Sequence, residues 1–153
     1  HKLKRIRDGA ARLGLPNIRT ELQDASVCRE EWKDSADVVL CDVPCSGLGI
    51  IRKKPEIRFK NPDEIRTLPE IQAKILANCA QYVKKGGTLV YSTCTILQRE
   101  NEDVVRAFLT ENPEFEAVSW THPVCGERAD GMVTLLPPVH NTDGFFIAKM
   151  HRK

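Results

Sequence analysis

Two short apolar runs, each leading into a cysteine motif, constrain the fold of this chain more than any other feature. The first run, 38–40, precedes Asp42-Val43-Pro44-Cys45-Ser46-Gly47, and the second, 89–91, precedes Ser92-Thr93-Cys94-Thr95. Continuous apolar runs of this length are typical of strands that are covered on both faces of a parallel sheet. Ligands and chemistry gather at the carboxyl ends of such strands. The sequence therefore predicts an α/β sheet that brings Cys45 and Cys94 to one edge.

The rest of the chain alternates helical and strand patterns. An order of α-β-β-α-β-α-β-β predicts a doubly wound sheet whose last two strands can pair antiparallel. Residues 122–142 carry scattered proline and glycine and are predicted to be irregular. The predicted helices cover 3–13, 67–85 and 99–110, and the predicted strands cover 18–22, 36–41, 88–92, 115–120 and 144–150.

Composition excludes several classes of protein. The chain has 153 residues, 41% hydrophobic and 29% charged, which is ordinary for one globular domain. No apolar stretch approaches 18 residues, so no membrane-spanning helix is predicted, and the basic N-terminus is not followed by the apolar segment of a secretion signal. The six cysteines are interpreted as reduced thiols, which predicts a cytoplasmic protein.

A structural zinc site is not predicted, because Cys41 and Cys45 have no second cysteine pair to complete a ligand set. The other four cysteines are not the cysteines of the two motifs. They are expected to act as small buried hydrophobic residues. They are Cys28, Cys41, Cys79 and Cys125.

The net charge of +2 does not by itself indicate nucleic-acid binding, but the basic residues are unevenly placed. Residues 52–60 contain five basic side chains and one acid. We regard this segment as a candidate for contacts with RNA phosphates, and a solvated loop without a partner is the alternative. The candidate contact residues are Arg52, Lys53, Lys54 and Arg58.

The first motif has the properties of a rigid reactive turn. A cysteine reacts as its thiolate, so a catalytic cysteine needs a neighbour that influences its proton. Asp42 is predicted at the same sheet edge as both thiols, and Pro44 stiffens the turn between them. Gly47 and Gly49 would allow the backbone to approach a ligand closely. Such a turn beside two thiols suits a site that docks a flat, polar ring.

Both motifs together resemble the signature motifs of the RNA cytosine-C5 methyltransferases, in particular the bacterial enzymes that modify small-subunit ribosomal RNA. The resemblance covers nearly the whole chain, from the basic first helix to Asp143-Gly144-Phe145-Phe146 near the end. Val43 stands where the family more often has alanine, which is not expected to affect the chemistry.

The resemblance implies a Rossmann-like class I methyltransferase sheet and transfer of a methyl group from S-adenosylmethionine to C5 of a cytosine in ribosomal RNA. It implies that Cys94 is the nucleophile that adds to C6, and that Cys45 helps to release the covalent product. Asp42 would contact the cytosine and lie near the cofactor, and Asp24 would hold the adenine amino group. An acid after a strand end can accept hydrogen bonds from such an amino group on general grounds.

The sequence has no Gly-rich turn between two strands of the kind that opens a nucleotide-binding sheet. Residues 1–153 are therefore expected to be the C-terminal part of a single S-adenosylmethionine-dependent methyltransferase domain, lacking the first two strands and the cofactor loop. Strand 18–22 would then lack a neighbour and strand 38–42 would expose an edge, which favours repacking or self-association. This fragment alone is expected to be inactive and to bind the cofactor weakly or not at all.

Three other functions remain open from the sequence. A DNA cytosine-C5 methyltransferase would use Cys45 as its nucleophile, but it would not need a second thiol at Cys94. A thiol-redox or zinc-binding module would use the same two cysteines. A non-catalytic RNA-binding fragment would keep the motifs without their chemistry, and the presence of both thiols argues against it.

Overall fold

A computed structural model describes residues 2–153 of the chain. The α-helices of this part are α1 (Lys2–Arg12), α2 (Pro62–Arg66), α3 (Leu68–Ala80), α4 (Glu102–Glu111) and α5 (Pro137–His140). The strands are β1 (Ala36–Asp42), β2 (Val83–Thr93), β3 (Phe115–Ala117), β4 (Trp120–His122), β5 (Gly126–Arg128), β6 (Met132–Leu135) and β7 (Phe145–Arg152). Short 3-10 turns cover Glu30–Trp32, Leu48–Ile50, Pro55–Phe59 and Gln98–Glu100.

The main sheet has the strand order β1-β2-β7-β3, and β6 also pairs with β7. β1 and β2 run parallel with Cys41 opposite Tyr91, which confirms the predicted parallel pair. β7 runs antiparallel to β2 and also to β3, so the last two predicted strands do pair antiparallel. β1 is an outer strand of this sheet, as expected for its exposed edge.

One face of the sheet forms the core beneath α3 and α4. Alternate residues of β2 and β7, such as Leu89, Tyr91 and Phe146, are fully buried there because successive strand side chains point to opposite faces. Leu76 of α3 and Val105 of α4 are buried against them. Burial of side chains of this size stabilises the fold by about 1.5–3 kcal/mol each.

The other face of β1 is open, which corrects the prediction that this strand is covered on both sides. Val38 is 63% exposed and Leu40 is 67% exposed. Val39 and Cys41, which point to the opposite face, pack with the core. An apolar run alone cannot distinguish a strand buried on two faces from one whose second face lies open.

The predicted strand at 18–22 does not form. Within residues 2–153, β1 pairs only with β2, so no partner strand is available to this segment. The chain instead follows an irregular path and packs against the end of α3. Asn78 Nδ2 donates to the carbonyl oxygens of Ala25 at 2.7 Å and Val27 at 3.2 Å. Residues 25–27, just beyond this segment, are thus packed against α3, whereas Leu22 within it is 83% exposed.

Three other boundaries differ from the prediction. Residues 84–87 do not end α3 but form a bulge in β2, where the register shifts between Ala36 and Val38 of β1 and Gly86 adopts φ +78°. The predicted helix over 99–110 begins only at Glu102. The stretch 122–142 is not irregular throughout, because β6 pairs with β7 and β4 with β5. Strand pairing of this kind depends on distant residues and not on local sequence.

α3, the longest helix with 13 residues, falls well short of the roughly 20 apolar residues that a bilayer-spanning helix needs, and no other helix within residues 2–153 meets that requirement.

Candidate active site

The two thiols predicted at the sheet edge are in contact. Cys45 Sγ and Cys94 Sγ lie 3.2 Å apart, although the residues are 49 positions apart in sequence. β1 and β2 end side by side, with Asp42 opposite Ser92, and each chain then turns away into its cysteine motif. Parallel pairing of neighbouring strands therefore explains why the two sulfur atoms meet.

A cavity of about 380 Å³ opens onto both sulfur atoms. Each thiol is half-buried, so it is accessible from this cavity while its other side is enclosed by protein. Lys60 is held at the cavity by a hydrogen bond of 2.8 Å from its Nζ to the carbonyl oxygen of Ser46. The lining residues are Cys45, Gly47, Ile50, Lys54, Glu56, Ile57, Lys60 and Cys94.

Burial, together with the hydrogen bond to Cys94, raises the pKa of the Cys45 thiol to about 12. Cys45 therefore keeps its proton at neutral pH. Its S–H group can donate to the sulfur of Cys94 at the observed distance of 3.2 Å. The two thiols therefore form a hydrogen-bonded pair in which Cys45 can act as the donor.

The turn that carries Cys45 is held by two buried polar side chains that the sequence did not identify as part of the site. Glu100 Oε2 accepts hydrogen bonds from the backbone N–H of Ser46 at 2.8 Å and from Gln72 Nε2 at 2.9 Å. Gln72 Nε2 also donates to the carbonyl oxygen of Pro44 at 2.9 Å. Both side chains are fully buried.

Glu100 falls within the helix predicted over 99–110, but the structure places it in the 3-10 turn that precedes α4. Its burial follows from tertiary packing and leaves no trace in the local pattern. Gln72 does carry a signal: it falls three and four residues before Ile75 and Leu76, on the apolar stripe of α3. A polar residue on such a stripe has to find a partner in the core.

A second set of hydrogen bonds holds the turn that carries Cys94. Thr93 Oγ1 donates to Asn101 Oδ1 at 2.6 Å, and Asn101 Nδ2 donates to the carbonyl oxygen of Thr95 at 3.1 Å. The hydroxyl oxygens of Ser46 and Thr95 lie 2.7 Å apart and join the two turns. All four side chains are buried.

Gly49 brings a third segment against these turns. Its N–H donates to the carbonyl oxygen of Cys94 at 3.0 Å, and its own carbonyl oxygen accepts from the N–H of Gly144 at 2.8 Å. The close approach that we predicted toward a ligand is therefore made to the backbone of residue 144. Gly47 adopts φ +77°, a conformation that favours glycine, and lines the cavity.

Asp42 lies at the end of β1 but does not line the thiol cavity. Its Oδ1 accepts a hydrogen bond of 3.2 Å from Ser92 Oγ. It borders a separate hollow of about 250 Å³, whose lining is otherwise Leu40, Val90, Ser92, Phe145 and Ile147. The strand alternation explains this placement, because Asp42 follows Cys41 and so points, like Leu40, to the open face of the sheet.

Asp24 lies exposed in the irregular segment after α1, without the strand that was predicted before it. Its Oδ1 accepts hydrogen bonds from the hydroxyl of Ser26 at 2.7 Å and from the N–H of Ser26 at 2.9 Å. These bonds lower the pKa of the Asp24 carboxyl group, so it is ionised at neutral pH. Its role toward a cofactor stays a prediction.

The four basic residues proposed for RNA contact are exposed, in or next to the segment that closes one side of the thiol cavity. Lys54 lines the cavity itself. Lys53 forms an ion pair with Asp143. The Arg58 guanidinium lies 6.0 Å from the ring centroid of Phe59, which is 84% exposed. Arg52 is exposed beside them.

Other side chains give no second centre in the part of the chain that the structure describes. Residues 2–153 contain no group of three or more His, Cys, Asp or Glu side chains placed to hold a metal ion. All six cysteines are free. Cys41 is buried as predicted, whereas Cys28, Cys79 and Cys125 are only half-buried, which corrects that expectation.

The sequence matches a family model described as 16S rRNA methyltransferase RsmB/F over residues 1–151. A probable ribosomal RNA small subunit methyltransferase B of Bacillus subtilis is 44% identical over 160 residues, covering 100% of this chain and 36% of that protein. A relative of the same description from Synechocystis is 37% identical and covers 99% of this chain and 35% of its own length. The chain thus spans about a third of the length of the curated relatives it matches.

A solved structure has the same fold. It is a methyltransferase homolog protein from Pyrococcus horikoshii, 28% identical, with a TM-score of 0.80. The match covers 99% of this chain and 50% of that one.

Proposed function

The chain belongs to the 16S rRNA methyltransferase RsmB/F family, and on that premise we propose that it carries the two thiols of a cytosine-C5 methylation reaction on ribosomal RNA. The observation that supports this most directly is the 3.2 Å contact between Cys45 and Cys94 at an open cavity. Family membership favours this function over the thiol-redox, zinc-binding and DNA-modifying alternatives.

In the proposed reaction the Cys94 thiolate adds to C6 of the cytosine, forming a C6–S bond and raising the electron density at C5. Cys45, which keeps its proton, is proposed to act only after this addition. S-adenosylmethionine, when bound, supplies the methyl group that C5 receives.

The product is then released by elimination. The proton on C5 passes to a water molecule, its electron pair forms the C5–C6 double bond again, and the C6–S bond breaks. Cys94 leaves as a thiolate, and the S–H of Cys45 stabilises that charge. The sulfur–sulfur contact is thus proposed to serve the release step.

The hollow beside Asp42 supports the proposed cofactor. A carboxylate next to an apolar lining fits a ligand that combines a positive sulfonium with uncharged groups, and Asp42 accepts only one hydrogen bond within the described residues. Asp42 is proposed to face the positive charge. Asp24, as an ionised carboxylate, is proposed to hold the adenine amino group.

We propose that residues 1–153 form the C-terminal part of a single methyltransferase domain of the Rossmann-like class I type, without its first two strands and Gly-rich loop. The open apolar face at Val38 and Leu40 supports this, because another part of a larger domain could cover it. By itself, the chain is proposed to be inactive and to bind the cofactor weakly.

The outer edge of β1 is proposed to allow self-association of the isolated chain, because an unpaired edge beside exposed Val38 and Leu40 can pair with a second copy. Sedimentation of the chain should show dimers or larger species, and replacing Leu40 with lysine should shift it toward monomer. A chain that stays monomeric at high concentration would contradict this proposal.

The substrate side of the proposal rests on the basic segment at the mouth of the cavity. Arg52, Lys53, Lys54 and Arg58 are proposed to contact the phosphates of the ribosomal RNA. Ribosomal RNA as the substrate also agrees with the cytoplasmic location predicted from the reduced thiols.

The test uses the full-length protein that contains this chain and RNA with 5-fluorocytosine at the target position. Because fluorine replaces the hydrogen at C5, no proton can be lost there, and the covalent adduct is trapped. We expect adducts with the wild type and with Cys45→Ala, and none with Cys94→Ala. An adduct with Cys94→Ala, or its loss in Cys45→Ala alone, would assign the attack to the other sulfur.

A further inference from the structure

We propose that Gln72 and Glu100 form a clamp that positions Cys45 and thereby controls release of the methylated product. This inference rests on the proposed function, and it adds two positioning residues that act through Cys45. Neither side chain lines the thiol cavity, so neither is proposed to touch the substrate.

The clamp grips the backbone on both sides of Cys45. The peptide N–H that follows Cys45 belongs to Ser46 and donates to Glu100 Oε2 at 2.8 Å. The carbonyl oxygen that precedes Cys45 belongs to Pro44 and accepts from Gln72 Nε2 at 2.9 Å. Gln72 Nε2 also donates to Glu100 Oε2 at 2.9 Å, so the two halves of the clamp are joined. The thiol is thereby fixed through both of its neighbouring peptide groups.

Both side chains of the clamp extend from elements that pack in the core. Gln72 extends from α3, and Glu100 from the turn before α4, where its backbone oxygen accepts a hydrogen bond of 2.6 Å from the Tyr91 hydroxyl. Both side chains are completely buried. Hydrogen bonds to a carboxylate are stronger than those between neutral groups, and their loss in the core leaves unpaired polar atoms.

Stability alone does not explain a carboxylate at this position. Glu100 forms no salt bridge among the ion pairs of residues 2–153, and its Oε1 has no hydrogen-bond partner there. A buried carboxylate without a cation is costly, so a purely structural role would favour a neutral or apolar side chain. A requirement for accurate placement of the Ser46 peptide, and hence of Cys45, accounts for its presence.

Cys94 is held by a separate set of contacts, in which Asn101 binds Thr93 and Thr95. Glu100 and Asn101 are adjacent in sequence and equally buried, yet they support different thiols. Loss of the clamp should therefore affect the step that depends on Cys45, which is the elimination that breaks the C6–S bond. Loss of the Asn101 contacts should affect the attack by Cys94.

The experiment compares Gln72→Met, Glu100→Gln and Asn101→Ala in the full-length protein. Gln72→Met keeps the volume of the side chain but removes both donated hydrogen bonds, and Glu100→Gln keeps an acceptor for Ser46 while removing the charge. Circular dichroism establishes that each variant is folded. Three quantities are measured: adduct formation with 5-fluorocytosine RNA, the amount of covalent complex that persists with ordinary cytosine RNA, and the alkylation rate of Cys45 without RNA or cofactor.

We expect Gln72→Met to form the fluorocytosine adduct at the wild-type rate and to accumulate the ordinary covalent complex about tenfold, since a lost buried hydrogen bond is worth about one factor of ten. The alkylation rate of Cys45 should change, while that of Cys94 should not. Glu100→Gln should show the same pattern more weakly. Asn101→Ala should instead slow adduct formation.

One result would overturn the clamp: adduct formation falls equally in Gln72→Met and Asn101→Ala, and the ordinary covalent complex does not accumulate. Gln72 and Glu100 would then have only a general structural role. An unchanged Cys45 alkylation rate in both clamp variants would also overturn it. If the wild type forms no adduct at all, the proposed function fails, and the alkylation measurement then decides about the clamp by itself. If Gln72→Met does not fold, the same measurements on Glu100→Gln test the clamp.

Discussion

Gly49 and Gly144 cross with their backbones in direct contact. The Gly144 N–H donates to the Gly49 carbonyl oxygen at 2.8 Å, and a Cβ on Gly49 would lie 2.6 Å from the Gly144 carbonyl carbon. The same Cβ would lie 2.9 Å from the carbonyl oxygen of Cys94. Because backbone atoms cannot turn aside as a flexible side chain can, this crossing fixes the segment before β7 against both thiol turns.

Replacing Gly49 with alanine should therefore destabilise the chain. The added methyl group meets backbone on two sides, and overpacking of this kind costs about 1–3 kcal/mol or more. The free energy of unfolding in urea measures the loss. Gly9→Ala is the matched control, because a Cβ at this position in α1 meets nothing within 4 Å, and alanine favours a helix by roughly 0.5–1 kcal/mol. Equal stabilities of the two variants would show that the crossing can relax.

The hydroxyl pair that joins the thiol turns should also be important for stability. Thr95→Val keeps the shape of the side chain but leaves the buried Ser46 hydroxyl without its partner at 2.7 Å. An unpaired buried group of this kind costs about 1–3 kcal/mol. Thr110→Val is the control, because the exposed Thr110 hydroxyl binds only the backbone of its own helix. A loss in Thr95→Val no larger than in this control would contradict the prediction.

The pKa of about 12 predicts slow alkylation of Cys45 in the folded chain. Only the thiolate reacts, so three pH units above the ordinary value of 9.0 lower the reactive fraction by about a thousandfold at pH 8. Iodoacetamide labelling followed by mass spectrometry should show a Cys45 rate that still rises above pH 10. In Cys94→Ala the pKa should fall but stay above the ordinary value, because burial still disfavours the thiolate.

The chain unfolded in urea is the reference for this pH dependence, because unfolding removes both the burial of Cys45 and its contact with Cys94. There the labelling rate of Cys45 should level off near pH 9. A plateau at that pH in the folded chain would show that the thiol is not shielded in solution.

Lys54 and Lys60 are the basic residues of segment 52–60 that line the thiol cavity. Lys60 already donates to the carbonyl oxygen of Ser46, so Lys54 is the one whose charge should act on a nearby phosphate. In the full-length protein, Lys54→Gln should weaken RNA binding and reduce the slope of log affinity against log salt by about 0.7–0.9, the value for one lost phosphate contact. Lys74→Gln, an exposed lysine on α3, is the charge-matched control. The same slope in both variants would remove Lys54 from the RNA contact.

The regular elements nearest the two motifs could be predicted from sequence because their signals are local. The runs before Asp42 and Ser92 are strands, and α3 carries its apolar stripe at helical spacing. The segment 18–22 has an equally suitable local pattern and is not a strand, because a strand forms only with a partner. β6 shows the converse case. Its local sequence does not indicate a strand, but it becomes one because it pairs with β7.

The candidate site divides in the same way. The sequence alone determined that Cys45 and Cys94 each follow a strand, because apolar runs and their turn residues act over a few positions. Only the tertiary structure decided that the sulfur atoms touch, that Asp42 points into a different hollow, and that Glu100 is buried behind Cys45. These features depend on which distant segments pack together, and packing at atomic contact is a property of the assembled core.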